Sequence, residues 1–151
     1  MLTRRALALG AAALALSALP ASAQEKLMAV ATFSILADFV REVGGDRIDV
    51  TTLVGPDGDA HVYSPTPADG RRLAEARIVF TNGLGYEGWL ARLVKSSGGK
   101  AAIIEAAKGV QTLKAEGRHG SGHAHDHAAI DPHAWQNIGN AKIYVAAIRD
   151  E

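Results

Sequence analysis

The sequence predicts an α/β fold in which a parallel sheet is flanked by helices. Three observations predict it. Four short runs rich in apolar and β-branched residues recur along the chain. Segments with helical spacing of apolar residues stand between them, and glycine or proline closes most of the junctions. "KLMAVATF" (26–33) reads as a first, well-buried strand. Ser34 can cap the helix that follows, whose apolar residues Ile35, Leu36, Phe39, Val40 and Val43 keep helical spacing until Gly44-Gly45 ends it. "RIDVTTLV" (47–54) alternates and is β-branched, which makes it the second strand. The stretch "GPDGDAHVYSPTP" (55–67) is too rich in glycine and proline to be anything but a loop. "ADGRRLAEA" (68–76) is helical with Gly70 as a weak point, "RIVFTN" (77–82) is a third strand, and "YEGWLARLVKSS" (86–97) a helix. "KAAIIEA" (100–106) is the fourth strand, and "NAKIYVAAIRDE" (140–151) opens a last helix with Ile143, Tyr144, Ala147 and Ile148 on its apolar side.

The two ends of the chain carry information of a different kind. Arg4 and Arg5 precede the apolar run "ALALGAAALALSAL" (6–19), and Pro20 then leads into the small-residue pattern "ASA" (21–23). The run is shorter than the roughly 20 residues a membrane-spanning helix needs, and its flanks are those of a cleavable signal peptide, residues 1–23. Cleavage leaves one domain's worth of chain, 24–151, and export places it in the periplasm. Basic and acidic residues balance at 16 each, and no basic stripe points to nucleic acid. Despite export there is no cysteine, so any metal site must use nitrogen and oxygen ligands. At the other end the last helix reaches Glu151 without a C-cap or closing turn, which reads as a chain continuing into further sequence.

Six histidines carry the chemistry. His61 lies in the loop leaving the second strand, the edge of a parallel sheet where ligands collect. Pro56, Pro65 and Pro67 stiffen that loop and lower the entropy cost of holding a ligand, while Asp59 is near enough to accept from the ring's other nitrogen. His133 sits in "DPHAW", where Asp131 and Pro132 make a turn or a helix start and Trp135 supplies bulk to pack it down. A rigid turn of this kind is a good place to present an imidazole, with Asp131 as its supporting carboxylate. His119, His123, His125 and His127 stand among glycine, serine and alanine, a composition that suits loose, exchangeable metal binding rather than a core. Enzymatic readings fail. "HAHDH" is one residue short of the H-x-H-x-D-H of zinc hydrolases, and neither H-E-x-x-H nor G-x-S-x-G is present.

Taken in order, the signal peptide, "ATFSILADFVREVGGDRIDVTTLVGPDGDAHVYSPTPAD", "VFTNGLGYEGWL", the histidine-rich loop and "DPHAW" resemble the zinc/manganese-type periplasmic solute-binding proteins of bacterial ABC metal importers. The resemblance covers essentially the whole chain. It implies two α/β lobes joined by a long backbone helix with the metal held between them. The chain would then be the N-terminal lobe (24–151), including the histidine-rich loop 117–129 and the start of the linking helix at about 134–151, with the C-terminal lobe absent. By the same resemblance the first metal ligand is the histidine of H-x-Y-x-P-T-P, here His61, and the second is the histidine of D-P-H-x-W, here His133. A third and often a fourth ligand come from the second lobe, beyond Glu151. Some members carry an acidic residue just before the first histidine, where this chain has Ala60.

The implied function is capture of Zn2+ in the periplasm and delivery to an inner-membrane ABC permease, with no enzymatic step. The loop histidines would raise the local ion concentration or accept metal from a periplasmic chaperone. Zinc is preferred to Mn2+ because imidazole suits zinc better than the harder manganese. Two alternatives stay open: a manganese receptor of the same family, and a self-contained zinc buffer or metallochaperone that uses the histidine loop alone. If a second lobe normally covers the last helix, Ile143, Tyr144 and Ile148 should be exposed here.

Overall fold

The structure, a computed structural model, describes residues 25–114 and 130–151. The segment expected to be a signal peptide (1–23) and the loop histidines His119, His123, His125 and His127 lie outside the described residues. Among the described residues eight strands and helices alternate: β1 (Leu27–Phe33), α1 (Ser34–Gly44), β2 (Ile48–Val54), α2 (Pro67–Glu75), β3 (Ile78–Thr81), α3 (Leu90–Ser97), β4 (Ala102–Glu105) and α4 (Ile138–Arg149). Short 3-10 turns occupy Gly45–Arg47 and Ala134–Gln136.

All strand pairs are parallel, in the order β2-β1-β3-β4. Leu27 pairs with Ile48, Ala29 with Ile78, and Ile78 with Ala102, so the strands run in step from their amino ends. The alternation of side chains along β1 and β3 sorts the core into two layers. Ala29, Ala31, Phe33, Ile78 and Phe80 face Leu36, Ala37 and Val40 of α1 and Tyr144 and Ile148 of α4. Val30 and Val79 face Leu73 of α2 and Leu90 and Leu93 of α3. Burying each large side chain contributes about 1.5–3 kcal/mol, which is how a cysteine-free domain holds together.

Boundaries differ from the sequence expectation where packing outweighs local signal. Ser34 is the first residue of α1 rather than its cap, because Phe33 occupies that position with extended backbone and no side-chain hydrogen bond. Gly45 closes α1 at φ 54°, a conformation that favours glycine. Helix α3 starts at Leu90, not residue 86, because Tyr86 and Glu87 are buried in the preceding turn. The last helix is covered by this domain itself. Tyr144 is 0% and Ile148 5% exposed, packed on α1 with Phe39 against the Tyr144 ring, and Ile143 is half-buried. The expectation that all three stand exposed is therefore corrected: the apolar side of α4 faces the α1 layer, and the exposed apolar residues are Ile138 and Val145.

From β1 the chain passes to β2 on one side, then crosses back to β3 on the other. The loops leaving the carboxyl ends of β1 and β3 therefore diverge, which opens a crevice at the switch point.

Candidate metal centre

The His61 loop is held at several points. Asp59 accepts a hydrogen bond from the His61 backbone N–H at 2.8 Å, the short-range turn that aspartate favours. Ala60 is buried, and its carbonyl accepts from the Trp89 indole N–H at 2.7 Å. The Tyr63 hydroxyl donates to Asp69 at 2.8 Å, and the Tyr63 and Trp89 rings meet edge-on at 5.1 Å. Thr66 then caps α2 in a reciprocal box with Asp69, and Pro67 occupies the first helical turn, where its missing N–H costs nothing. Burial pulls the Asp69 carboxyl up. The backbone and hydroxyl of Thr66, the Tyr63 hydroxyl and Arg72 outweigh that and hold it below the ordinary aspartate value. Tyr63, Thr66, Pro67 and Asp69 thus each have a mechanical task, and His61 itself is left exposed with its ring on the edge of Tyr86 at 4.5 Å.

The His133 segment faces the His61 loop. Asp131 accepts from both the His133 backbone N–H (3.0 Å) and its ring Nδ1 (2.7 Å). Those two bonds, the backbone one first, lower the Asp131 pKa below its usual range. A carboxylate on Nδ1 assigns the proton to that nitrogen and leaves Nε2 with a free lone pair, the arrangement found behind metal-bound histidines. Ala134 is buried, and Trp135 packs obliquely on Phe33 at 4.8 Å and edge-on to Tyr86 at 5.0 Å. The true cap of α4 is Asn137, whose Oδ1 accepts from Gly139 and Asn140, so Asp131 serves the histidine and not the helix.

These two loops bring the Nε2 atoms of His61 and His133 to 3.2 Å, although the residues are 72 positions apart. Two nitrogens on one tetrahedral zinc, with bonds of about 2.0–2.1 Å, stand roughly 3.3 Å apart, and a right-angled octahedral pair stands about 3 Å apart. The spacing suits one shared divalent ion in either geometry. Among the described residues no group of three histidine, aspartate or glutamate side chains gathers around a metal position, so these two imidazoles alone would fill only part of a metal's shell. Asp59 differs from its expected place: its carboxylate holds the backbone of His61, not the ring. Beside His133 and Asp131 a cleft of about 680 Å³ opens toward Gln111, Asn137 and Asn140. The segment carrying the other four histidines leaves at Lys114 and returns at Ile130, which pair in an isolated bridge supported by Asp131 N–H to Leu113 carbonyl at 2.9 Å.

Sequence reading missed the buried polar groups beneath the site. Glu87 accepts from Thr32 Oγ1 at 2.5 Å and from the backbone N–H groups of Asn82 (2.7 Å) and Gly83 (3.3 Å), which joins the carboxyl ends of β1 and β3. Asn82 donates to the Pro132 carbonyl at 3.0 Å. The Thr66-Pro67-x-Asp69 box was detectable from its spacing, whereas nothing local marks Asn82 or Glu87 as buried.

Comparison with known proteins agrees with this fold. The family model described as "Zinc-uptake complex component A periplasmic" matches residues 29–151. A manganese-binding lipoprotein, MntA, of Halalkalibacterium halodurans is 35% identical over 127 residues, covering 84% of this chain and 39% of that protein. The manganese ABC transporter substrate-binding lipoprotein PsaA of Streptococcus pneumoniae is 34% identical over 133 residues, 84% of this chain and 41% of its own length. The chain thus spans about two-fifths of the length of the curated relatives it matches. Among solved structures, the Mn-bound periplasmic metal binding protein of Candidatus Liberibacter asiaticus superposes with a TM-score of 0.71 at 28% identity, over 83% of this chain and 44% of that one. The metal-dependent lipoprotein YcdH of Bacillus subtilis superposes with a TM-score of 0.66 at 27% identity, over 82% of this chain and 42% of that one. A parallel sheet flanked by helices, two facing imidazoles at its switch point and a family match over most of the chain lead to one conclusion: this chain belongs to the zinc-uptake component A family of periplasmic metal-binding proteins of ABC importers.

Proposed function

We propose that this chain is the ion-capturing lobe of a periplasmic receptor that binds Zn2+ and hands it to an ABC permease. The observation that carries the reading is the 3.2 Å approach of His61 Nε2 to His133 Nε2, with Asp131 behind the second ring. Both imidazoles act as neutral ligands, and the remaining ligands come from a second lobe closing over the crevice. Val62 and Ile138, strongly exposed beside the two ligand segments, fit a surface that another lobe covers. Capture and release need reversible coordination and no activated water, consistent with family members being receptors and not enzymes.

The family description and the imidazole pair favour zinc, since nitrogen ligands suit it better than manganese. Manganese is the second reading, favoured by the printed names of MntA and PsaA and by the Mn-bound relative. Raw affinity cannot distinguish them, because a nitrogen and oxygen site ranks zinc above manganese whatever its cargo. The distinguishing measurement is metal uptake by cells whose gene for this receptor is deleted: lost zinc accumulation supports the first reading, and lost manganese accumulation with zinc unchanged supports the second. His61→Ala and His133→Ala should each abolish tight binding of the cargo ion. Retention of full affinity in both would return the function to the histidine segment alone, as a buffer or metallochaperone.

That segment, with His119, His123, His125 and His127, acts in this reading as an auxiliary collector. Its tether supports the role, because Ile130, where the chain returns, is three residues from His133. Removing residues 117–129 should slow loading, from free ion or from a periplasmic zinc chaperone, without changing equilibrium affinity at the His61/His133 pair. An unchanged loading rate would refute it.

A further inference from the structure

Asn82 is almost fully enclosed at the carboxyl end of β3, and all its partners are defined. Its Nδ2 lies 3.0 Å from the Gly83 carbonyl and 3.0 Å from the Pro132 carbonyl. Both partners are pure acceptors, so the NH2 group must face them and the amide cannot be flipped. Oδ1 must then receive a proton, and it does so from the Tyr144 hydroxyl at 2.5 Å. Tyr144 is 0% exposed on the inner side of α4, and burial, with Glu87 nearby, holds its phenol protonated well beyond the ordinary tyrosine range. One side chain therefore connects three separate pieces of the chain: the end of β3, the peptide immediately before His133, and the middle of α4.

We propose that Asn82 is the positioning residue for the second metal ligand, and that through Tyr144 it ties the His133 segment to helix α4, so that ion affinity follows the seating of that helix. The inference rests on the reading of His61 and His133 as ligands. Without the Asn82 amide, the turn Asp131-Pro132-His133 keeps its internal Asp131 contacts and the Trp135 packing on Phe33 but loses its hydrogen bond to the end of β3. The ring would still be the correct tautomer but would no longer be held 3.2 Å from His61. A helix that shifts along its axis would pull on the same amide through the Tyr144 hydroxyl, which gives movements of α4 a direct route to the ion.

The test is a zinc titration, by competition with a chromophoric chelator, of Asn82→Ala and Tyr144→Phe, each alone and combined with His133→Ala. Tyr144→Phe retains the ring in the core, so it remains folded if Asn82→Ala does not. Supporting groups behind a ligand are worth about 10–100-fold in affinity. Asn82→Ala should fall in that range, and Tyr144→Phe, which leaves the Pro132 bond in place, should weaken zinc about threefold. In the His133→Ala background, read on the weak binding that remains, both effects should vanish, because a group that acts through His133 has nothing left to position. Wild-type affinity in folded Asn82→Ala or in Tyr144→Phe overturns the inference. So does an equal loss with and without His133, which marks a general loss of structure. If His61→Ala and His133→Ala themselves bind zinc as the parent does, it is the ligand assignment that has failed.

Discussion

Replacing Trp89 by phenylalanine isolates the bond that anchors the first ligand loop. The indole N–H donates to the Ala60 carbonyl at 2.7 Å, one residue before His61, and Ala60 is only 1% exposed. Phenylalanine keeps a ring against Tyr63 but has no donor, so a buried carbonyl is left without partner or water. An orphaned buried acceptor costs about 1–3 kcal/mol, and the smaller half-buried ring forfeits at most about 1 kcal/mol more. A loss near 2 kcal/mol lowers the melting temperature of a domain this size by about 6–10 °C. Relaxation can recover part of that only by letting the Ala60 carbonyl swing toward solvent, and that movement carries His61 away from His133. Stability and affinity should therefore trade against each other. The assays are thermal unfolding by circular dichroism without metal and a zinc competition titration on the same sample. A variant that melts within 1 °C of the parent and binds zinc equally would refute the argument that this bond holds the loop.

Asp131→Ala frees the Nδ1 side of His133 and should weaken the ion about tenfold, at the low end of such effects because both side chains are about two-fifths exposed. Asp131→Asn, which can still accept from Nδ1–H, should lose less, and equal losses in the two would argue against the tautomer role. Asp69 sets an acid limit. Its pKa is lowered on folding, so its contribution is present above the unfolded aspartate value of about 3.9 and disappears as pH falls through the lower folded value. The stability difference between the parent and Asp69→Asn should accordingly shrink from pH 5 downward below about pH 4; urea midpoints that stay parallel across that window would contradict this. Gly99→Ala should destabilise by about 1–3 kcal/mol, since a Cβ there would lie 2.8 Å from the Leu73 carbonyl oxygen and 3.0 Å from Ala74 Cα, both backbone atoms. Chemical denaturation reads that directly, and a neutral result would mean the α2 backbone can yield.

Much of this protein was legible one residue at a time. The alternation of β-branched runs with helical spacing dictated an α/β chain because side-chain period is a local property, two in strands and 3.6 in helices. All four strands and all four helices stand where that period puts them, within a few residues. His61 and His133 stood out as candidates because the stiff loop around each is encoded by its neighbours: proline, threonine and aspartate after the first, aspartate and proline before the second. Three matters were decided only in three dimensions. The order β2-β1-β3-β4 sets the switch point, and no local signal carries it, since which strand lies beside which depends on how the helices share the two faces. The covering of Tyr144 and Ile148 by α1 could not be foreseen from the apolar stripe on α4, because a stripe says that a face will be buried and not by what. Last, Asn82 and Glu87 look like ordinary loop-edge polar residues in sequence. They become the polar floor under the His133 turn because the sheet brings the ends of β1 and β3 side by side there, where an enclosed polar group must find a partner and so holds the backbone that supplies one.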